Sequence, residues 1–207
     1  MLLHGRPLAI EWIKDHVPAI LDGWYLGQET GNAAADVLFG EVNPGGKLPV
    51  TVPRNVGQVP NYYNIMTPGR PGRYFQSKAK PLFPFGHGLS YTTFEYSHLQ
   101  ITPTSSTSAT VNIDITNTGD RAGDEVIQLY IHDEYSSVVR PTKELKRFRR
   151  ITLKPGEKRT VTFTLKKDAF AFYDEKTEEW IVEPGDFKIM VGSSSADIRI
   201  SKMLTLK

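Results

Sequence analysis

Between residues 94 and 207 the chain returns repeatedly to a two-residue hydrophobic period, and this limits its fold more than any other feature. Val111-Asn112-Ile113-Asp114-Ile115 alternates apolar and polar side chains, which sends one set to each face of an extended strand. Val126-Ile127-Gln128-Leu129-Tyr130-Ile131, Thr160-Val161-Thr162-Phe163-Thr164-Leu165 and Phe187-Lys188-Ile189-Met190-Val191 do much the same. Turn signals separate them: Asn117-Thr118-Gly119-Asp120, Lys154-Pro155-Gly156-Glu157 and Glu183-Pro184-Gly185-Asp186. The two Pro-Gly pairs fit type II turns in which glycine supplies the positive φ. Around seven strands at this spacing predict a two-sheet antiparallel sandwich.

Residues 1–91 follow a different pattern. Trp12, Ile13, Val17, Ile20 and Leu21 fall near helical spacing, with Pro18 interrupting the run, so a helix there must break or restart. Leu21-Asp22-Gly23-Trp24-Tyr25 reads as a turn into a short strand. Asn32-Ala33-Ala34-Ala35-Asp36-Val37-Leu38-Phe39 predicts a short helix closed by Gly40, with Thr30 or Asn32 as its cap. Asn43-Pro44-Gly45-Gly46 predicts a turn, and Lys47-Leu48-Pro49-Val50-Thr51-Val52 a strand leaving it. Strand, helix, strand, helix, strand is α/β order. Only Leu2 and Leu3 remain of what should be a first apolar strand, and a parallel sheet needs several neighbours. An incomplete parallel sheet is therefore expected, with its missing strands upstream.

From residue 53 to 93 the chain is rich in proline and aromatic residues. Tyr62, Tyr63, Tyr74, Phe75, Phe83 and Phe85 carry large buriable area, so this stretch is expected to be an ordered loop pinned to a surface. The resulting division is 1–52 for the α/β part, 53–93 for the connecting loop and 94–207 for the sandwich.

Composition excludes several functions. With 25 basic and 23 acidic residues, a net charge of +2 does not favour nucleic-acid binding through phosphates. Lys143, Lys146, Arg147, Arg149 and Arg150 form the one basic cluster, read as a solvated strand face. The chain contains no cysteine, which removes disulfides, thiolate chemistry and Cys-containing zinc sites. The sandwich is thus of the immunoglobulin or fibronectin type III kind without a disulfide. No apolar run approaches the about 20 residues that span a bilayer. Met1-Leu2-Leu3-His4-Gly5 lacks the regions of a signal peptide, so any export signal is expected upstream.

Few residues invite a chemical role. Gly27-Gln28-Glu29-Thr30-Gly31-Asn32 opens a helix but has the spacing of neither a P-loop nor a dinucleotide fingerprint. Glu29 reads as a hydrogen-bonded structural residue rather than a general acid. The five histidines show no paired metal-ligand spacing, and His87 reads as a packed residue in the turn joining two domains. Phe170, Phe172, Tyr173 and Trp180 nearly alternate, which favours core packing over an exposed binding face.

Several longer motifs carry a resemblance. Gly5-Arg6-Pro7-Leu8, the run from Gly27 to Gly40, and Asn43-Pro44-Gly45-Gly46-Lys47-Leu48-Pro49 resemble the second half of the α/β sandwich domain of family 3 glycoside hydrolases. Arg73-Tyr74-Phe75 and Pro81-Leu82-Phe83-Pro84-Phe85-Gly86-His87-Gly88-Leu89-Ser90-Tyr91-Thr92-Thr93-Phe94 resemble the junction into that family's fibronectin type III-like domain. The pattern continues through Arg140-Pro141-Thr142-Lys143-Glu144-Leu145-Lys146-Arg147-Phe148 to Glu183-Pro184-Gly185.

The resemblance implies the C-terminal portion of an exo-acting retaining β-glycosidase, of β-glucosidase or β-xylosidase type. A nucleophilic Asp would lie on an N-terminal barrel domain and the acid/base Glu upstream of the Gly-Arg-Pro motif. No catalytic residue, metal site or cofactor is thus assigned to this chain, which is expected to be inactive alone. Its implied partners are that barrel and, through the parent enzyme, a β-linked oligosaccharide; nucleic acid and membrane are not among them. Tyr62, Tyr63, Arg70, Arg73 and Tyr74 are candidates for a substrate rim near the aglycone, since aromatics stack on sugar rings and arginines hold hydroxyls; domain glue is the competing reading. Such enzymes are often periplasmic or secreted. Two alternatives stand beside this: a carbohydrate- or protein-binding sandwich module, and a separately encoded subunit that docks with a barrel. The open edge of the incomplete sheet also invites self-association.

Overall fold

The computed structural model describes residues 1–66 and 80–207. Its larger unit is a sandwich of two antiparallel sheets. A three-stranded sheet has the order β3-β4-β7, from β3 (Phe94–Ser105), β4 (Ser108–Asn117) and β7 (Lys158–Leu165). A four-stranded sheet has the order β11-β10-β5-β6, from β5 (Gly123–Asp133), β6 (Glu144–Leu153), β10 (Gly185–Gly192) and β11 (Ile198–Leu206). Seven strands in two sheets match the sequence expectation.

The alternation explains the core. Along β4 every second residue is buried, from Ala109 through Val111, Ile113 and Ile115 to Asn117. Val161, Phe163 and Leu165 of β7 share that inner face, and Ile127, Leu129, Phe187, Ile189 and Val191 line the facing sheet. The one-turn helix α3 (Lys167–Phe170) drops Phe170 into the end of the sandwich, edge-on to Phe187 at 5.0 Å. The hairpin of β8 (Phe172–Asp174) and β9 (Glu179–Ile181) stands outside both sheets.

The first segment is smaller. Strand β1 (Leu2–Leu3) pairs in parallel with β2 (Leu21–Asp22) as an isolated two-stranded sheet, consistent with the incomplete parallel sheet read from the sequence. Helix α1 (Glu11–His16) ends before Pro18, and α2 (Thr30–Leu38) ends ahead of Gly40, whose φ of 81° is left-handed. Neither Thr30 nor Asn32 caps α2: no side chain bonds the first turn, Thr30 Oγ1 donates to the Gly27 carbonyl, and Asn32 Nδ2 donates to Glu29.

Three local expectations change. Residues 47–52 do not form a strand: Leu48 and Val52 reach only isolated bonds with Gly86, His87, Leu82 and Phe83. Pro49 and Pro53 deny that stretch the donors a ladder needs. Of the two Pro-Gly turns, Gly156 has the positive φ (72°), whereas Gly185 does not and already begins β10. The four aromatics near the hairpin divide: Phe170 and Phe172 are buried, while Tyr173 and Trp180 are exposed. Antiparallel pairing of Tyr173 with Trp180 places both on the outer face.

Candidate functional site

The motifs of the first segment converge on one place, the joint between the α/β part and the outer face of the four-stranded sheet. Asn43 begins it: its Nδ2 donates to the Ala122 carbonyl at 2.9 Å, and its Oδ1 accepts from Ser90 Oγ at 2.9 Å and the Tyr91 amide at 2.8 Å. The Tyr91 hydroxyl donates to the Val37 carbonyl near the end of α2 at 2.8 Å. One asparagine thus ties the first segment to the residues just ahead of both β3 and β5.

Lys47 follows four residues later. Its Nζ donates to the Gly88 carbonyl at 3.0 Å and pairs with Glu125 Oε1 at 3.0 Å, both side chains nearly out of solvent. Such a buried pair is retained only where further hydrogen bonds satisfy it, and Glu125 also accepts from the Val126 amide. Close backbone approach explains the glycines. A Cβ at Gly88 would collide with the Gly46 carbonyl, and one at Gly86 would sit inside the Gln128 amide. Gln128 Nε2 donates to both the Gly86 carbonyl (3.1 Å) and the Ser193 carbonyl (2.7 Å), while its Oε1 accepts from Tyr130 at 2.6 Å. Gln128 is polar at a buried position because three groups complete its bonding.

His87 sits between these contacts as the sequence suggested, stacked on Phe83 at 5.3 Å between ring centroids. Burial pushes its pKa down, Lys47 adds to the decrease, and Asp197 opposes it. Lys143, from the basic cluster, donates to the Ser195 carbonyl at 2.6 Å, and burial lowers its pKa. The rest of that cluster is largely paired on β6: Lys146 with Glu144, Arg147 with Asp168, Arg150 with Asp124.

The rim candidates fall in different situations. Tyr62 is 65% exposed. Tyr63 is half-buried: its ring stacks on Phe85 at 4.4 Å and meets Tyr130 edge-on at 5.8 Å. Its hydroxyl accepts from the Leu145 amide at 3.0 Å, and burial raises its pKa. Arg70, Arg73 and Tyr74 lie outside the described residues. Glu29 is exposed and accepts from Asn32. No group of three or more His, Cys, Asp or Glu side chains among the described residues could hold a metal ion. No helix among them is long and apolar enough to cross a membrane.

Sequence reasoning missed a second polar centre, built around Arg140. Its Nη1 bonds the Phe170 carbonyl at 2.9 Å and lies 3.3 Å from Asp133 Oδ2; its Nη2 reaches Glu144 at 2.9 Å. The guanidinium also lies 5.6 Å from the Phe172 ring centroid. Burial raises the Asp133 pKa while Arg140 lowers it. Nothing in local spacing brings 133, 140 and 170 together, so only the three-dimensional fold reveals the cluster.

Comparison with known proteins matches these features. Residues 1–91 match the glycosyl hydrolase family 3 C-terminal domain, and residues 125–195 a fibronectin type III-like domain. The chain is 48% identical to a β-xylosidase of Formosa agariphila, aligning over 100% of its own length and 30% of the relative's. It is 44% identical to a periplasmic β-glucosidase of Salmonella typhimurium over 96% of its length and 28% of that protein's. Among solved structures, a β-glucosidase from Erythrobacter marinus superposes with a TM-score of 0.93 at 44% identity, covering 100% of this chain and 28% of the other. The Listeria innocua β-glucosidase in complex with glucose gives 0.92 at 38% identity, with coverage of 99% and 30%. The chain thus spans about 30% of the length of the relatives it matches. With the family's C-terminal domain at residues 1–91 and a fibronectin type III-like domain behind it, the chain belongs to glycoside hydrolase family 3 and corresponds to the C-terminal part of its members.

Proposed function

We propose that this chain is the C-terminal scaffold of an exo-acting retaining β-glycosidase that removes terminal β-linked glucose or xylose. One observation carries the reading: proteins named β-xylosidase and β-glucosidase match it over 100% and 96% of its length, at 48% and 44% identity. In a retaining reaction one carboxylate attacks the anomeric carbon and a second acts as acid and then base, the two about 5–5.5 Å apart. We assign both to the N-terminal barrel and the preceding part of the sandwich domain, so these residues support the site without performing the chemistry.

The division into 1–52, 53–93 and 94–207 belongs to this proposal. Its support is that the sandwich strands begin at Phe94 and that the bonds of Lys47, Gly86 and Gln128 form a joint between the parts. Exposed apolar residues support a docked barrel: Trp12 (68% exposed), Leu38 (69%) and Phe39 (84%) leave apolar area in water on the first segment. In its absence the same surface, with the open edge of β1, would favour self-association. The exposure of Tyr62 supports a place at the substrate rim, while the contacts of Tyr63 suit anchoring of the loop that carries it.

The test is hydrolysis of nitrophenyl β-glucoside and β-xyloside by the 207-residue chain and by the same chain joined to a family 3 segment carrying both the barrel and the first half of the α/β sandwich domain. Turnover is expected only from the joined protein. Turnover by the chain alone would refute the placement of both carboxylates.

A further inference from the structure

We propose that the β8–β9 hairpin and the loop before β6 form a binding groove for a neutral β-linked oligosaccharide. The groove holds about 650 Å³ and is bordered by Tyr173 and Trp180. Trp180 is 62% exposed and Tyr173 48%, although their neighbours Phe172 and Ala171 are buried. Their rings meet at 5.8 Å with an interplanar angle of 65°. One ring therefore offers a flat face and the other stands beside it as a wall. The flat apolar face of a pyranose, with its axial C–H bonds, fits such a platform, because stacking removes apolar area of both partners from water.

The polar lining fits the same class of ligand. Glu144, Asp168, Asp174 and Glu175 contribute acceptors and Arg140, Lys146 and Lys176 donors, so the groove presents both signs of charge in near balance. A charged ligand would meet opposition from about half of these groups, whereas hydroxyls donate and accept in equal measure. Asp168 is already held by Arg147 and Lys146 by Glu144, while Glu175 and Lys176 are exposed at the hairpin turn.

The hairpin is also fixed before any ligand arrives. Asp174 accepts from the Lys176 amide at 3.1 Å and from Thr177 Oγ1 at 3.0 Å, closing the turn. On the inner side Arg140 bonds the Phe170 carbonyl and lies near the Phe172 ring, anchoring the strand whose outer residue is Tyr173. A rigid aromatic platform loses little conformational freedom on binding, which favours a usable affinity from a shallow site.

The proposal does not depend on the hydrolase reading, because it is tested by binding to the chain alone. The indole N–H signal of Trp180, assigned with Trp180→Phe, is followed by NMR as cellohexaose or xylohexaose is added. A saturable shift is expected, and calorimetric titration with the same sugars is expected to show affinity falling at least about tenfold in Trp180→Ala, falling less in Tyr173→Ala and unchanged in Trp12→Ala. The absence of any Trp180 shift with both sugars up to about 10 mM would overturn the proposal, as would equal loss in Trp12→Ala. So would sedimentation showing self-association that Trp180→Ala abolishes and sugar leaves untouched. The wild-type titration needs no variant to fold, so a misfolded substitution leaves the test intact.

Discussion

The Gln128 side-chain amide donates to the Gly86 carbonyl at 3.1 Å, and Gly86 can approach that closely only because it has no side chain. Gly86 also holds a φ of 80°, a left-handed conformation that costs other residues energy. Gly86→Ala is therefore expected to destabilise the chain by roughly 2–3 kcal/mol, through backbone strain and displacement of Gln128. Urea denaturation followed by tryptophan fluorescence measures this. An unchanged midpoint would show that the joint adjusts without cost.

The Lys47–Glu125 pair predicts a non-additive result. Lys47→Met leaves a carboxylate that is only 7% exposed without its partner, for an expected loss of about 3–5 kcal/mol. Adding Glu125→Leu removes that isolated charge, so the double variant should recover much of the loss. A double-mutant cycle in the same denaturant checks both statements. Simple additivity would count against a buried pair.

His87 makes stability depend on pH with a definite sign. Burial depresses its folded pKa below the ordinary 6.5, so in mildly acidic solution the unfolded chain binds more protons than the folded one. Stability contributed at this site is therefore present above pH 6.5 and is lost as pH falls through the depressed value. Melting curves between about pH 5 and 8 should show this slope, and His87→Gln should flatten it. An identical slope in the variant would place the titration elsewhere.

Asn117 tests the turn between β4 and β5. Wholly buried, it donates to the carbonyls of Arg121 (2.7 Å) and Leu153 (3.0 Å) and accepts from Thr92 Oγ1 (2.6 Å) and the Gly119 amide (3.1 Å). Asn117→Ala is expected to cost about 2–4 kcal/mol, because it strands buried donors and acceptors. Asn117→Asp should cost at least as much, since an ionised carboxylate cannot donate to two carbonyls. The free energy of unfolding of each variant decides.

The legibility of the sequence followed the range of the interactions. A strand such as β4 announces itself because burial on one face imposes a two-residue period, and all its information lies within ten residues. The helix before Gly40 was equally readable, since helix ends are set by local backbone chemistry. Residues 47–52 were misread because their pairing with residues 83–87 is isolated and distant in sequence. The opposite fates of Phe172 and Tyr173 depend on a hairpin that stands clear of both sheets, which alternation alone does not reveal. At the joint, the glycines and Asn43 were visible as motifs. Their reason was not, because it lies in Ala122, Glu125 and Gln128, which are about 40 to 80 residues away along the chain.

The unequal sizes of the two cores bear on how the chain folds as it is made. Twenty buried residues form the sandwich core, whereas Ile10, Val52 and Leu82 are the only buried members of the other among the described residues. During translation the α/β segment leaves the ribosome before the sandwich, when its locking partners on β5 do not yet exist. The bonds that lock it to the sandwich can form only after that later half has been made and folded. Synonymous codon changes that slow elongation between residues 53 and 120 would lengthen the interval before those bonds form, making the yield of intact protein sensitive to translation speed in a way the finished fold does not show.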